Sequence, residues 1–187
     1  MGQMKKEISV VVPVYMEEAN IRPFLNRLEP VLENINAKNN EIIFVLDPGT
    51  DKTEQIILEE INRNENIRML VMSRKFGQPA ATMAGIGACC GRVCVLIDVD
   101  LQDPPELIIE LCKKLNQGYE VVYATRRSRK GEARIKKVIS SIGYKIINRL
   151  SEVDIPPDTG DFRIISRKVI DELVQLNDLQ GFLRGLV

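Results

Sequence analysis

Two aspartates separated by one residue, Asp98 and Asp100, have the clearest capacity for chemistry in this chain. They close the stretch 93–97, VCVLI, which is apolar without alternation and so reads as a parallel strand covered on both faces. The carboxylates therefore fall at the strand's C-terminal edge, where ligands sit in open α/β sheets. A period of two points Asp98 and Asp100 to one side and turns Val99 back. Two carboxylates in that arrangement can chelate one hard divalent cation. Asp103 follows, and a helix opens at Pro104 with Glu106 in its first turn. The bland alternative for Asp-x-Asp is a solvated turn. The position between a buried strand and a helix start favours a metal site.

Other chemistries are removed by composition. The 187 residues contain no histidine, which excludes Ser-His-Asp and Cys-His catalysis and histidine-ligated zinc. Cys89, Cys90, Cys94 and Cys112 form no CxxC pair and lie in apolar or helical contexts, the pattern of buried reduced thiols in a reducing cytoplasm. Lys plus Arg number 26 and Asp plus Glu also 26, so no global charge calls for nucleic acid. No apolar run has the length of a membrane span, and the N-terminus lacks a signal-peptide core. What remains is chemistry run on carboxylates, cations and backbone. The strongest charge asymmetry lies at 126–137, where Arg126, Arg127, Arg129, Lys130, Arg134, Lys136 and Lys137 face the single Glu132. This is either a solvated face or an anion site for a phosphorylated acceptor or acidic headgroups.

The elements that must position these residues alternate between strand and helix. Residues 8–14 form a second continuous apolar run, followed by Tyr15, Glu17 and Glu18. Asn20 can cap a helix with the stripe Phe24, Leu25, Leu28, Val31 and Leu32. Residues 41–46 make the next strand, with Asp51 and Glu54 as a helix capping pair in its exit loop. A short strand at 67–72 leads through Ser73, Arg74 and Lys75 to a helix of small residues that starts near Pro79 and can lie close to its sheet. Arg74 and Lys75 stand at a strand exit, where they can approach a diphosphate or stay solvated. A helix at 104–115 ends at Gly118, and a strand follows at 120–124. Ile135, Val138, Ile139, Ile142, Ile146 and Ile147 make an amphipathic stripe, either core-packed or interfacial. Asp161, Phe162 and Arg163 open a last short strand before a helix from about Ser166. The pattern predicts one α/β domain with a mostly parallel central sheet and helices on both faces.

Three motifs, VVPVYMEEANI near the start, SRKFGQPAATMAG in the middle and IDVDLQDPPE after it, resemble the GT-A catalytic domain of family 2 glycosyltransferases. The nearest branch is that of the polyprenyl-phosphate sugar transferases, the group of dolichol-phosphate mannose synthase and the bactoprenol glucosyltransferases. The similarity runs from about Ile8 to the last residue. It implies a single Rossmann-like GT-A domain over 1–187, truncated before C-terminal membrane-associated helices. It also implies a nucleotide-diphosphate sugar donor, a UDP-sugar or GDP-mannose, held by Pro13, Tyr15, Glu17, Asp47, Lys75, Asp98 and Val99. Asp98, Asp100 and Gln102 are the implied ligands of Mg2+ or Mn2+. Asp98, Asp100, Arg126, Lys136 and Asp161 are the implied catalytic set, with Asp161 in a Gly-Asp-Phe-Arg tetrad near the acceptor side. The chain departs from the family at Met16, where Asn is usual, and at Leu46, where the first of two base-contacting aspartates would stand; Pro48-Gly49 replaces Gly-Ser.

The function expected on this basis is inverting, metal-dependent transfer of a sugar from the nucleotide to an undecaprenyl or dolichyl phosphate. A phosphate monoester, with a second pKa of about 6, is already an anionic nucleophile and needs cations more than a base. The alternatives are transfer to a hydroxyl in polysaccharide synthesis, with Asp161 or Asp103 as base, and an inactive nucleotide-sugar-binding module. Expected partners are the donor, the lipid phosphate and a membrane surface reached through C-terminal helices, with no nucleic acid and room for a homo-oligomer. The expected location is the cytoplasmic face of a membrane, the piece in hand being soluble by itself.

Overall fold

The computed structural model describes residues 6–35, 39–125 and 159–176. Four strands carry the core: β1 (Ile8–Val14), β2 (Asn40–Leu46), β3 (Ile67–Val71) and β4 (Val93–Leu96). They alternate with α1 (Ile21–Asn34), α2 (Thr53–Arg63) and α3 (Gln78–Ala88). A 3-10 turn at Pro105–Leu107 then leads into α4 (Ile108–Leu115), followed by β5 (Val121–Thr125), β6 (Thr159–Ser166) and α5 (Arg167–Gln175). The six strands form one sheet in the order β3-β2-β1-β4-β6-β5. β1, β2, β3 and β4 pair in parallel, and β6 runs antiparallel to both β4 and β5. This is the expected α/β fold with a mostly parallel sheet.

The non-alternating apolar runs have a direct cause, because successive side chains enter different cores. Val10, Val12, Ile42, Phe44, Val93 and Val95 meet the helices α1, α2 and α4 on one face. Val11, Ile43, Val45, Cys94 and Leu96 meet α3 and α5 on the other. With both faces covered, neither phase of the strand period is free to be polar. The small residues of α3 bring it down onto the sheet. A β-carbon on Gly85 would stand 2.3 Å from Val11 Cγ1 and 3.0 Å from Val45 Cγ2.

Several local expectations are corrected. β4 stops at Leu96, although Ile97 stays buried. The strand opened by Asp161 is not short; it spans Thr159–Ser166 and lies between β4 and β5. Asn20 stands at the N-cap of α1, but its amide donates to Glu17 Oε2 at 2.6 Å rather than capping the helix. Asp51 accepts from the Thr53 amide and hydroxyl, and Lys52 N donates to Glu18, so the partner across the turn is Glu18 and not Glu54. Pro104 stands just outside the 3-10 turn that precedes α4. Cys89 and Cys94 are buried and Cys112 is half-buried, but Cys90 is exposed. Its backbone amide is the group turned inward, donating to Glu41 at 2.7 Å.

At the edge where the parallel strands begin, buried Glu41 accepts from Ser9 Oγ at 2.5 Å and pairs with Arg68 at 2.9 Å. Ser9 in turn accepts from Gly91 N at 2.8 Å. Arg167, the first residue of α5, donates to the carbonyls of Gly91 and Cys89. This network ties the entries of β1, β2, β3 and β4 together and leaves the opposite edge for chemistry.

Candidate active site

Each parallel strand ends at a common edge, and the loops leaving it enclose a cleft of about 330 Å3. Pro13, Val14, Tyr15 and Glu17 come from the exit of β1, Asp47 from that of β2, and Asp98, Val99 and Asp100 from that of β4. Lys75, Gly77, Gln78 and Ala81 come from the loop after β3 and the first turn of α3. Of the residues anticipated on the nucleotide side, all seven line this cleft. Of those anticipated for the metal, Asp98 and Asp100 line it and Gln102 does not.

The loops are built by side chains bonding backbone. Buried Asp47 accepts from Gly77 N at 2.7 Å and Phe76 N at 3.2 Å, which fixes the loop that carries Lys75. The Lys75 ammonium lies over the Tyr15 ring, 3.5 Å from its centroid. Arg74 turns instead to Phe76, 4.6 Å from that ring's centroid. Gln78 donates from Nε2 to Asp98 Oδ1 at 2.7 Å. Asp100 accepts the Gln102 amide at 3.0 Å, an aspartate closing its own turn two residues on. Gln102 is thus held beside Asp100 through its backbone. Glu106, just beyond, is gripped by Arg27 through two bonds of 3.0 and 2.7 Å. These bonds hold the Glu106 carboxyl below the usual carboxylate range.

Among the described residues, two other than glycine have positive φ, Met16 at 56° and Leu101 at 60°, and both stand beside cleft-lining residues. Left-handed backbone is tolerated best by Asn, Asp and Gly, so a Met and a Leu held there mark turns imposed by their surroundings. At position 16 the family's usual Asn would adopt this conformation with less strain.

Asp161 sits on β6, whose register pairs Arg163 with Leu96, so it stands at the same sheet edge as Asp98. It does not line the cleft, and it pairs with Arg163 at 3.4 Å. Asp103 is buried. Arg126, Lys136 and the amphipathic stripe at 135–147 lie outside the described residues. Gln78 is the site residue that sequence reasoning passed over as part of a helix start; its signal was its place between Gly77 and Pro79 at a strand exit facing the Asp-x-Asp turn.

Electrostatically the cleft is lopsided. Among the described residues its lining holds four carboxylates, Glu17, Asp47, Asp98 and Asp100, and one cation, Lys75. Every candidate metal donor is an oxygen, which suits Mg2+ or Mn2+ and not a soft metal. Among the described residues no three His, Cys, Asp or Glu side chains come together to hold an ion. Two aspartates fit a cation that takes its remaining ligands from water and a bound anion.

With this geometry in hand, residues 9–174 match Glycosyl transferase family 2. The chain belongs to that family. It is 44% identical over 183 residues to the Uncharacterized glycosyltransferase sll0501 of Synechocystis sp., covering 98% of this chain and 57% of that protein. It is 34% identical over 181 residues to the Bactoprenol glucosyl transferase of Shigella phage SfX, covering 97% and 59%. The chain thus spans somewhat more than half the length of these relatives. Among solved structures it is similar to glucosyl-3-phosphoglycerate synthase from Mycobacterium tuberculosis in complex with Mn2+, UDP-glucose and phosphoglyceric acid. The TM-score is 0.65 at 20% identity, covering 88% of this chain and 58% of that one. At that identity the likeness speaks for the fold, an α/β glycosyltransferase domain. Among the described residues no helix is long and apolar enough to cross a membrane.

Proposed function

We propose that this domain transfers a sugar from a nucleotide-diphosphate sugar to a polyprenyl phosphate, with inversion at the anomeric carbon and with a divalent cation. The observation that carries the donor side is the cleft itself, which joins the exits of β1, β2 and β4 and among the described residues holds four carboxylates against one ammonium. A diphosphate entering so acidic a cleft needs positive charge brought with it. Asp98 and Asp100 would hold that charge as Mg2+ or Mn2+, with Gln102 beside them. When bound, the ion stabilises the negative charge that collects on the departing diphosphate. Gln78 orients Asp98, and Pro13, Tyr15, Glu17 and Val99 frame the nucleoside. The solved relative with Mn2+ and UDP-glucose supports this arrangement by analogy of fold.

The acceptor half rests on charge and on the bactoprenol glucosyl transferase relative. A lipid phosphate oxygen forms its bond to the anomeric carbon as the bond from that carbon to the diphosphate oxygen breaks, and the electron pair leaves with the nucleoside diphosphate. A dianionic phosphate has no proton to lose, so the step needs positioning cations and no base. Arg126 and Lys136, within the basic run 126–137, are assigned that role. Transfer to a hydroxyl would need a base, and Asp161, outside the cleft lining, is paired with Arg163. In this reading 1–187 is the catalytic domain of a protein that works at the cytoplasmic face of a membrane.

The test is transfer from labelled UDP-glucose and GDP-mannose to a short-chain polyprenyl phosphate by a full-length form. Arg126→Ala and Lys136→Ala should each weaken acceptor use by roughly 1.5 to 3 kcal/mol and leave nucleotide affinity almost unchanged. Loss of nucleotide affinity in these variants, or transfer to a hydroxyl acceptor in preference to the lipid phosphate, would overturn the acceptor assignment.

A further inference from the structure

The ammonium that lines the cleft is engaged with an aromatic ring. The Lys75 ammonium covers the face of Tyr15 at 3.5 Å, well inside the roughly 6 Å range of a cation–π contact. Tyr15 and Lys75 both line the cleft, so the ring face under the ammonium borders the space a nucleobase would enter to stack. A base stacked on that face would have to displace the ammonium. We propose that Lys75 is a latch on the base subsite: its ammonium holds the Tyr15 face until the diphosphate of an incoming nucleotide draws it off, so that base stacking and diphosphate neutralisation occur together. The proposal rests on the nucleotide reading given above and deepens it by coupling two parts of that ligand through one side chain.

The surroundings restrict the movement to that side chain. The backbone on its C-terminal side is held where Asp47 accepts both Phe76 N and Gly77 N. Arg74 on its other side is engaged with the Phe76 ring. Lys75 itself is exposed, with a flexible stem that can sweep between ring and cleft. The energetic order favours the exchange. An exposed cation–π contact is worth less than a charge-assisted hydrogen bond to a phosphate oxygen, so a diphosphate wins the ammonium. A nucleoside without phosphates must displace the ammonium and gives it nothing in return.

The discriminating variant is Lys75→Met, which keeps the length of the side chain and removes the charge at an exposed position. Uridine and guanosine binding would be followed by NMR titration of the 187-residue chain, and UDP and GDP binding by calorimetry with Mn2+. The expected result is opposite movement: nucleoside affinity rises about two- to fivefold as the cation–π competitor is lost, while diphosphate affinity falls about tenfold. Lys75→Arg should keep the wild-type order of both. The latch is overturned if Lys75→Met weakens nucleoside and diphosphate together, or if it binds nucleoside no better than wild type. Failure of the underlying nucleotide reading looks different, since wild type would then bind neither UDP nor GDP with Mn2+.

Discussion

Asp47 and Asp98 are carboxylates on one cleft with different employment. Asp47 is buried and accepts two backbone amides, so it acts by holding the loop of Lys75, whereas Asp98 is half-buried and bonds the side chain of Gln78. The base-contacting role that the family resemblance implies for Asp47 would have to share this side chain with a structural task. Away from the cleft, Glu60 is nearly buried and accepts from Arg63 Nε at 2.7 Å and Arg22 Nε at 3.0 Å. Burial pushes its carboxyl up, but the two arginines outweigh burial and hold it below the usual carboxylate range. A depressed carboxyl stabilises the fold above its unfolded value and ceases to do so as pH falls through its folded value. Glu60→Gln should lower the thermal midpoint at pH 7 by a few degrees, about 1 kcal/mol once solvent screening of half-exposed arginines is allowed for. The deficit should begin to shrink as pH drops below the ordinary glutamate value of about 4.3 and vanish once pH has fallen through the lower folded value. A deficit of constant size across that range in thermal melts would refute the ion-pair account. The sequence made the Asp-x-Asp turn readable because a strand end and a helix start bracket it. It did not make Gln78 or the occupation of Asp47 readable, because both depend on a loop from another strand folding over the same edge.

At the scale of elements, α3 is the piece on which the cleft depends, since its first turn supplies Gln78 and its seat on the sheet fixes where that turn points. Its two interior glycines have opposite surroundings. A β-carbon at Gly85 meets Val11 and Val45, and one at Gly87 meets nothing within 4 Å. Gly87→Ala should stabilise the protein by up to about 1 kcal/mol through helix propensity, whereas Gly85→Ala should destabilise it by about 1 to 2 kcal/mol net, the overpacking exceeding that gain. Denaturant midpoints read both, and equal effects of one sign would contradict the close seating of α3. The close approach was legible from the run of small residues at 80–88. The place of β6 was not, because antiparallel insertion between β4 and β5 is decided by pairing with segments far away in sequence, and nothing local in Asp161-Phe162-Arg163 encodes a neighbour. The helix-capping pairs failed for the same reason. Glu18 reaches Lys52 across two loops, a partnership no window around residue 51 contains.

Over the whole molecule, the sheet separates stabilising and functional polarity onto its two edges. Glu41, Ser9, Arg68 and Arg167 bind the strand entries together, while the strand exits hold Asp47, Asp98 and Asp100 around the cleft. A two-core sheet clamped at one end is a rigid mount for loops at the other, as the proposed alignment of a sugar donor requires. In the function proposed above, Asp98 and Asp100 serve a cation that carries a nucleotide diphosphate into an acidic cleft. Calorimetric titration of the 187-residue chain with UDP and GDP, with and without Mn2+, in wild type and Asp100→Ala, tests it most directly. Binding of at least one nucleotide should require Mn2+ in wild type and be lost or weakened at least tenfold in Asp100→Ala, a loss of about 1.4 kcal/mol or more. Metal-independent binding in wild type, or unchanged Mn2+-dependent affinity in Asp100→Ala, would contradict it.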